Sequence, residues 1–118
     1  MVTIRERRAE LDGFAAVMEG VRNAAPRAGR AIAGPHDYAQ IPALVERSKI
    51  RVANFCSDID ARLAEVPFVA GEHFSAADIT TLMTVDFATR ALNLQISTES
   101  VALKRWYDAV AARPNAAA

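Results

Sequence analysis

Residues 61–79 of the chain, ARLAEVPFVAGEHFSAADI, carry the pattern that decides the fold. The stretch begins within a helical repeat of apolar residues, and Pro67 and Gly71 then break that repeat. The letters FSAADI at its end are typical of the first residues of a helix. The stretch therefore predicts the end of one helix, a turn, and the start of another helix.

The helix start is predicted from two residue pairs. Ser75 and Asp78 have the spacing of a capping box, in which a serine and an acid three residues later bond each other's backbone N–H groups. Phe74 and Ile79 are placed for the hydrophobic staple that closes over such a cap. We therefore expect a helix to begin at Ala76, with these four residues in a structural role.

Helical periodicity outward from this stretch predicts an all-α bundle of four main helices within one domain, 1–118. Alanine, the strongest helix former, is the commonest residue, which favours the same fold class. The third helix has apolar residues or threonine nearly all round, so we expect it to be central and the most buried. Residues 25–40, with two prolines and two glycines, are predicted to be a long connection. The four helices are expected at about 3–24, 41–65, 76–92 and 98–112.

The first predicted helix carries two opposite stripes. Large apolar residues recur at helical spacing on one side, and small residues recur on the other. Because glycine weakens a helix, we expect the small stripe to lie where another backbone comes close. We expect contacts on both stripes, which are Leu11, Phe14, Met18 and Val21, and Ala9, Gly13, Ala16 and Gly20.

Composition excludes several classes of protein. Fourteen basic residues balance fourteen acidic ones, so a dedicated surface for nucleic acid or anionic membrane is not expected. No apolar run reaches the roughly 20 residues that span a bilayer. Cys56 is the one cysteine, so no internal disulfide forms, and we expect a cytoplasmic location.

Residues 61–79, followed by LKRWYDAVAARP at 103–114, resemble the C-terminal helical domain of cytosolic glutathione transferases. The segment from 7 to 52 is similar to bacterial members of that family, so the resemblance covers nearly the whole chain. The family pattern matches here at Phe68–Gly71, Phe74–Asp78, Arg105–Trp106 and Arg113–Pro114.

The resemblance implies a role in conjugating glutathione, as co-substrate, to a small hydrophobic electrophile. In the family, an N-terminal thioredoxin-like domain activates the glutathione thiol, and the 118 residues contain no such unit. We therefore expect no catalytic residue, no cofactor bound by this chain itself and no activity of the chain alone. We expect it to form a homo-oligomer or to bind a thioredoxin-like or other protein partner. The alternatives are a stand-alone helical interaction module and a truncated remnant without function.

Two groups of residues are candidates for the substrate pocket. Phe14, Met18, Val21 and Arg22 would line it if the resemblance holds residue by residue, and core packing is the alternative. Asp86 and Arg90 share one face of the third helix at a spacing of four. This second pair is either an internal ion pair or part of the pocket lining.

Other reactive side chains give no catalytic or metal-binding pattern. Cys56 lies in an apolar stripe and is predicted to be a buried, inert thiol. His36 and His73 lie in predicted loops without the spacing of metal ligands, so no metal site is expected.

Overall fold

A computed structural model of the chain describes residues 2–24 and 38–113, and the elements in these ranges are all helical. The predicted all-α bundle of four main helices is confirmed, with the first helix built of three consecutive segments. Residues 25–37 of the predicted connection, which include His36, and Pro114 of the family pattern lie outside the described residues. The elements are α1 (Val2–Arg8), a π-helical segment (Ala9–Phe14), α2 (Ala15–Ala24), α3 (Pro42–Leu63), α4 (Ala76–Leu92) and α5 (Val101–Ala111).

The small-residue stripe of the first helix is its buried face. Ala9 and Ala16 are fully buried, and Gly13 and Gly20 are buried with them. A Cβ atom at Gly13 would lie 2.8 Å from the Phe55 ring on α3. The two helices thus approach each other at the distance that glycine permits. The stripe of large residues is covered less completely, and Leu11 is 60% exposed.

Helix α4 occupies the centre of the bundle. It packs against the first helix along all three segments, and against α3 and α5. It begins at Ala76 behind the N-cap Ser75 and ends at Leu92, and its C-cap Asn93 adopts the left-handed conformation with φ 57°. It has eight buried residues, more than any other described helix, as expected for the central and most buried helix, although Ile79 is 46% exposed and Met83 is 57% exposed.

Asp78 joins the turn, the start of α4 and α5. Its side chain is fully buried. Oδ2 accepts a hydrogen bond from the Ser75 N–H at 2.9 Å and one from the Ser75 hydroxyl at 3.4 Å. Oδ1 accepts one from the Val69 N–H at 3.0 Å and one from Trp106 Nε1 at 2.8 Å. Ser75 and Asp78 thus stand in a capping box whose acid also binds two further elements.

The turn before α4 is closed by a pair of backbone hydrogen bonds. Phe68 and Gly71 donate to each other's carbonyl oxygens at 3.0 and 3.1 Å. Gly71 has a φ of 146°, a conformation that residues with a Cβ atom rarely adopt. The phenylalanine and glycine of the sequence motif are therefore the two ends of one tight turn.

Phe74, one of the two residues of the predicted staple, contacts Phe68 and Arg113. The Phe74 ring meets the Phe68 ring edge to face at 6.1 Å, and the Arg113 guanidinium lies 4.0 Å from the Phe74 ring centroid. Ile79 lies on the exposed side of α4. Its pairing with Phe74 stays a prediction.

Candidate functional site

The four pocket candidates on the first helix are all half-buried. Phe14 meets Phe87 of α4 edge to face, with ring centroids 6.1 Å apart. Val21 packs against the apolar cluster that joins α2, α3 and α4, so its side chain takes part in the core. Met18 and Arg22 are also partly accessible, which leaves a partly open apolar wall around Phe14 and Met18.

Asp86 and Arg90 do not form an ion pair in the described part of the chain. The Tyr107 hydroxyl of α5 instead donates a hydrogen bond to Asp86 Oδ1 at 2.5 Å. This bond, together with burial, raises the pKa of Tyr107 to about 12. Arg90 is exposed. Nothing local in the sequence indicates that Tyr107 has a partner 21 residues away.

Apolar side chains are exposed on two helices that pack together. Ile4 and Leu11 of the first helix are 61% and 60% exposed. Ile79 and Met83 of α4 are exposed as well, at 46% and 57%. A hydrogen bond of 3.3 Å from the Thr80 hydroxyl to Glu6 Oε1 links the two helices. We call these four residues the first-helix/α4 surface. Exposed apolar surface of this kind marks an interaction site when it is contiguous.

The titratable groups with shifted pKa values do not provide a nucleophile. Burial raises the pKa of Cys56 to about 11, so its sulfur is a thiol and not a thiolate at neutral pH. Tyr107 is likewise protonated there. Burial is also the main cause of the lowered pKa of Arg5, which nearby Arg62 and Arg8 lower further.

Neither a metal-binding cluster nor a membrane-spanning helix is present among residues 2–24 and 38–113. Among them, no three histidine, cysteine, aspartate or glutamate side chains are grouped as a metal site would require. No helix in the same ranges has the length and apolar character needed to cross a membrane. The described geometry is therefore that of a helical domain with a partly open apolar wall and an exposed apolar surface.

The family model for the C-terminal domain of glutathione S-transferases matches residues 42–109. This match covers α3, the capped turn, α4 and most of α5. The chain therefore belongs to the glutathione S-transferase C-terminal domain family. Among curated proteins, it is 43% identical over 56 residues to glutathione S-transferase 2 of Saccharomyces cerevisiae, an alignment that covers 48% of this chain and 24% of that protein.

Solved structures extend the likeness to almost the whole chain. The chain superposes on Gtt2 from Saccharomyces cerevisiae with a TM-score of 0.83 at 28% identity, over 98% of this chain and 53% of that one. A Gtt2-class glutathione S-transferase of Vibrio parahaemolyticus gives 0.75 at 28% identity, over 95% and 47%. A glutathione S-transferase domain-containing protein of Marinobacter aquaeolei gives 0.82 at 27%, over 97% and 53%. This chain thus spans about half the length of the relatives.

Proposed function

We propose that this chain acts as the C-terminal domain of a glutathione transferase and supplies the wall that holds the hydrophobic electrophile. Phe14 and Met18 form the apolar part of that wall. Val21, Arg22, Asp86 and Arg90 belong to its border. Glutathione and the group that stabilises its thiolate belong to a thioredoxin-like domain, whether that domain is in the same polypeptide or another.

The observation that carries the proposal is the first-helix/α4 surface beside Phe14 and Met18. Burial of apolar surface contributes about 25 cal/mol per Å² to the favourable free energy of association. Side chains such as Leu11 and Met83 therefore gain most if a second domain covers them. Family membership indicates the chemistry of that second domain, because the Vibrio parahaemolyticus relative is a glutathione S-transferase about twice as long as this chain.

Fusion to the thioredoxin-like domain of an active glutathione transferase tests the transferase role. We expect the fusion, and not the chain alone, to conjugate glutathione to chlorodinitrobenzene. In the fusion, Met18→Ala should raise the KM for the electrophile by about tenfold through lost apolar contact, and leave the KM for glutathione unchanged. Ile50→Ala removes an exposed apolar side chain on α3, away from the wall, and serves as the control. Turnover by the chain alone, or an unchanged electrophile KM in Met18→Ala, would contradict the proposal.

Association through the first-helix/α4 surface provides an independent test. Without a covering domain, we expect the chain to self-associate, and sedimentation should show a dimer that dissociates on dilution. Leu11→Glu and Met83→Glu should each yield a monomer, because a buried unpaired charge opposes association. Ile50→Glu should leave the dimer intact. A wild-type chain that stays monomeric at all concentrations would contradict this part of the proposal.

A further inference from the structure

A cavity of about 420 Å³ opens on a part of the bundle that the proposed function does not use. It lies between α3, the C-terminal half of α4 and the segment 94–100 that leads into α5. Its volume is within the range of small-molecule sites, which are about 300–1,000 Å³. The cavity therefore has room for a ligand of about the size of two fused aromatic rings.

The floor of the cavity is apolar and firmly packed. Val52 and Ala88 are each 2% exposed, and Val85 is buried beside them. Cys56 lies in the wall, and Ile96 is half-buried in the segment that closes the other side. Over this floor water finds few hydrogen-bond partners, so the apolar body of a ligand is the better occupant there.

The segment along one side of the cavity offers unused backbone groups. Within the described residues, the N–H groups of Gln95, Ile96 and Ser97 donate to no protein acceptor. Backbone amides that lack protein partners bond water or a ligand.

The charge at the cavity is negative. Asp60 and Glu99 both line it, and neither forms an ion pair within the described ranges. Asp60 Oδ1 accepts the Leu103 N–H at 2.8 Å, which fixes the carboxylate at the start of α5. The remaining charged lining residue, Lys49, has its Nζ 3.8 Å from Glu46 Oε1. Two carboxylates without basic partners therefore face an apolar space.

We propose that this cavity is a binding site for a small organic cation with an apolar body, of the aromatic ammonium class. The ring system lies on the floor formed by Val52, Val85 and Ala88. The cationic group lies between the Asp60 and Glu99 carboxylates. The site is separate from the electrophile wall and does not depend on the transferase role.

Alkylation of Cys56 reports occupancy of this cavity, because a ligand on the floor covers the thiol. The probes are three naphthalenes that differ in charge: (1-naphthylmethyl)trimethylammonium, 1-naphthylacetate and 1-naphthalenemethanol. The rate of iodoacetamide labelling is measured at pH 9, where a thiol of pKa about 11 has a small but usable thiolate fraction. We expect the ammonium probe to protect Cys56 at about tenfold lower concentration than the carboxylate, since the paired carboxylates attract one and repel the other.

Matched variants distinguish binding in the cavity from the effects of substitutions elsewhere on the surface. Ala53→Phe places a ring at the exposed wall of the cavity and should abolish protection, whereas Ala61→Phe, also exposed on α3 but outside the cavity, should retain it. Asp60→Asn combined with Glu99→Gln should remove the preference for the cation and keep the Leu103 bond. Asp58→Asn combined with Glu65→Gln removes two charges elsewhere and should change nothing. Circular dichroism verifies the fold of each variant.

Three results would overturn the proposal. The first is an absence of protection by the ammonium probe up to its solubility limit. The second is equal protection by the carboxylate probe, which would show that Asp60 and Glu99 do not select the ligand. The third is protection that persists in Ala53→Phe, which would place the probe outside the cavity.

Discussion

Replacement of Asp78 by alanine is expected to lower the free energy of unfolding by about 3–5 kcal/mol, the largest effect of any single polar substitution proposed for this chain. The carboxylate accepts hydrogen bonds from Val69, Ser75 and Trp106, which belong to three separate parts of the chain. Val69 and Trp106 are buried, so their N–H groups would lose an acceptor without gaining water. Each buried donor left unpaired costs about 1–3 kcal/mol, and loss of the helix cap adds about 1 kcal/mol.

Urea titration followed by Trp106 fluorescence measures this effect. Asp78→Asn is the graded variant, because its Oδ1 keeps the Val69 and Trp106 bonds while its amide group opposes the Ser75 N–H. We expect it to cost about 1–2 kcal/mol, and it preserves the test if the alanine variant does not fold. Glu72→Gln, exposed in the same turn, is the control and should stay within about 0.5 kcal/mol. An alanine variant within 1 kcal/mol of the wild type would disprove the central role of Asp78.

Local signals in the sequence were sufficient to predict the helices and the turn between α3 and α4. The start of α4 was predicted at Ala76, since the capping pattern depends only on residues within four positions of one another. The role of Asp78 in holding Trp106 was not predicted. That hydrogen bond joins residues 28 positions apart, and periodicity carries no information on such pairs. The family motif contained both residues without showing that they touch.

Packing of the first helix shows a second limit of prediction from the sequence. The sequence has two stripes there, and hydrophobicity alone favours burial of the large one. In the structure the small stripe is buried, because Phe55 and Ser48 of α3 fill the space above the two glycines. The large stripe is left to form the candidate site and the surface beside it. The π-helical segment at Ala9–Phe14 was also missed, since a change of helical pitch leaves no clear residue pattern.

Gly20→Ala is expected to lower the free energy of unfolding by about 1–3 kcal/mol, although alanine is the better helix former by about 1 kcal/mol. A Cβ atom at this position would lie 2.2 Å from Ser48 Oγ and 2.9 Å from Leu92 Cδ1. Ser48 is fully buried, and its hydroxyl already donates to the Val45 carbonyl oxygen at 2.8 Å. The hydroxyl therefore cannot move without breaking that bond, and α2 must shift away from α3.

A double-mutant cycle isolates this contact. Ser48→Ala removes the oxygen that the new Cβ would strike, so Gly20→Ala combined with Ser48→Ala should recover about 1 kcal/mol relative to the sum of the two single changes. Ala15→Gly, at an exposed position of the same helix, measures the helix-propensity contribution separately and should cost about 1 kcal/mol. If Gly20→Ala raised stability in urea titration, helix propensity would outweigh the clash, and the close packing of α2 on α3 would not require glycine. A destabilised Gly20→Ala with no coupling to Ser48 would instead assign the clash to Leu92, because that side chain is the other neighbour within 3 Å.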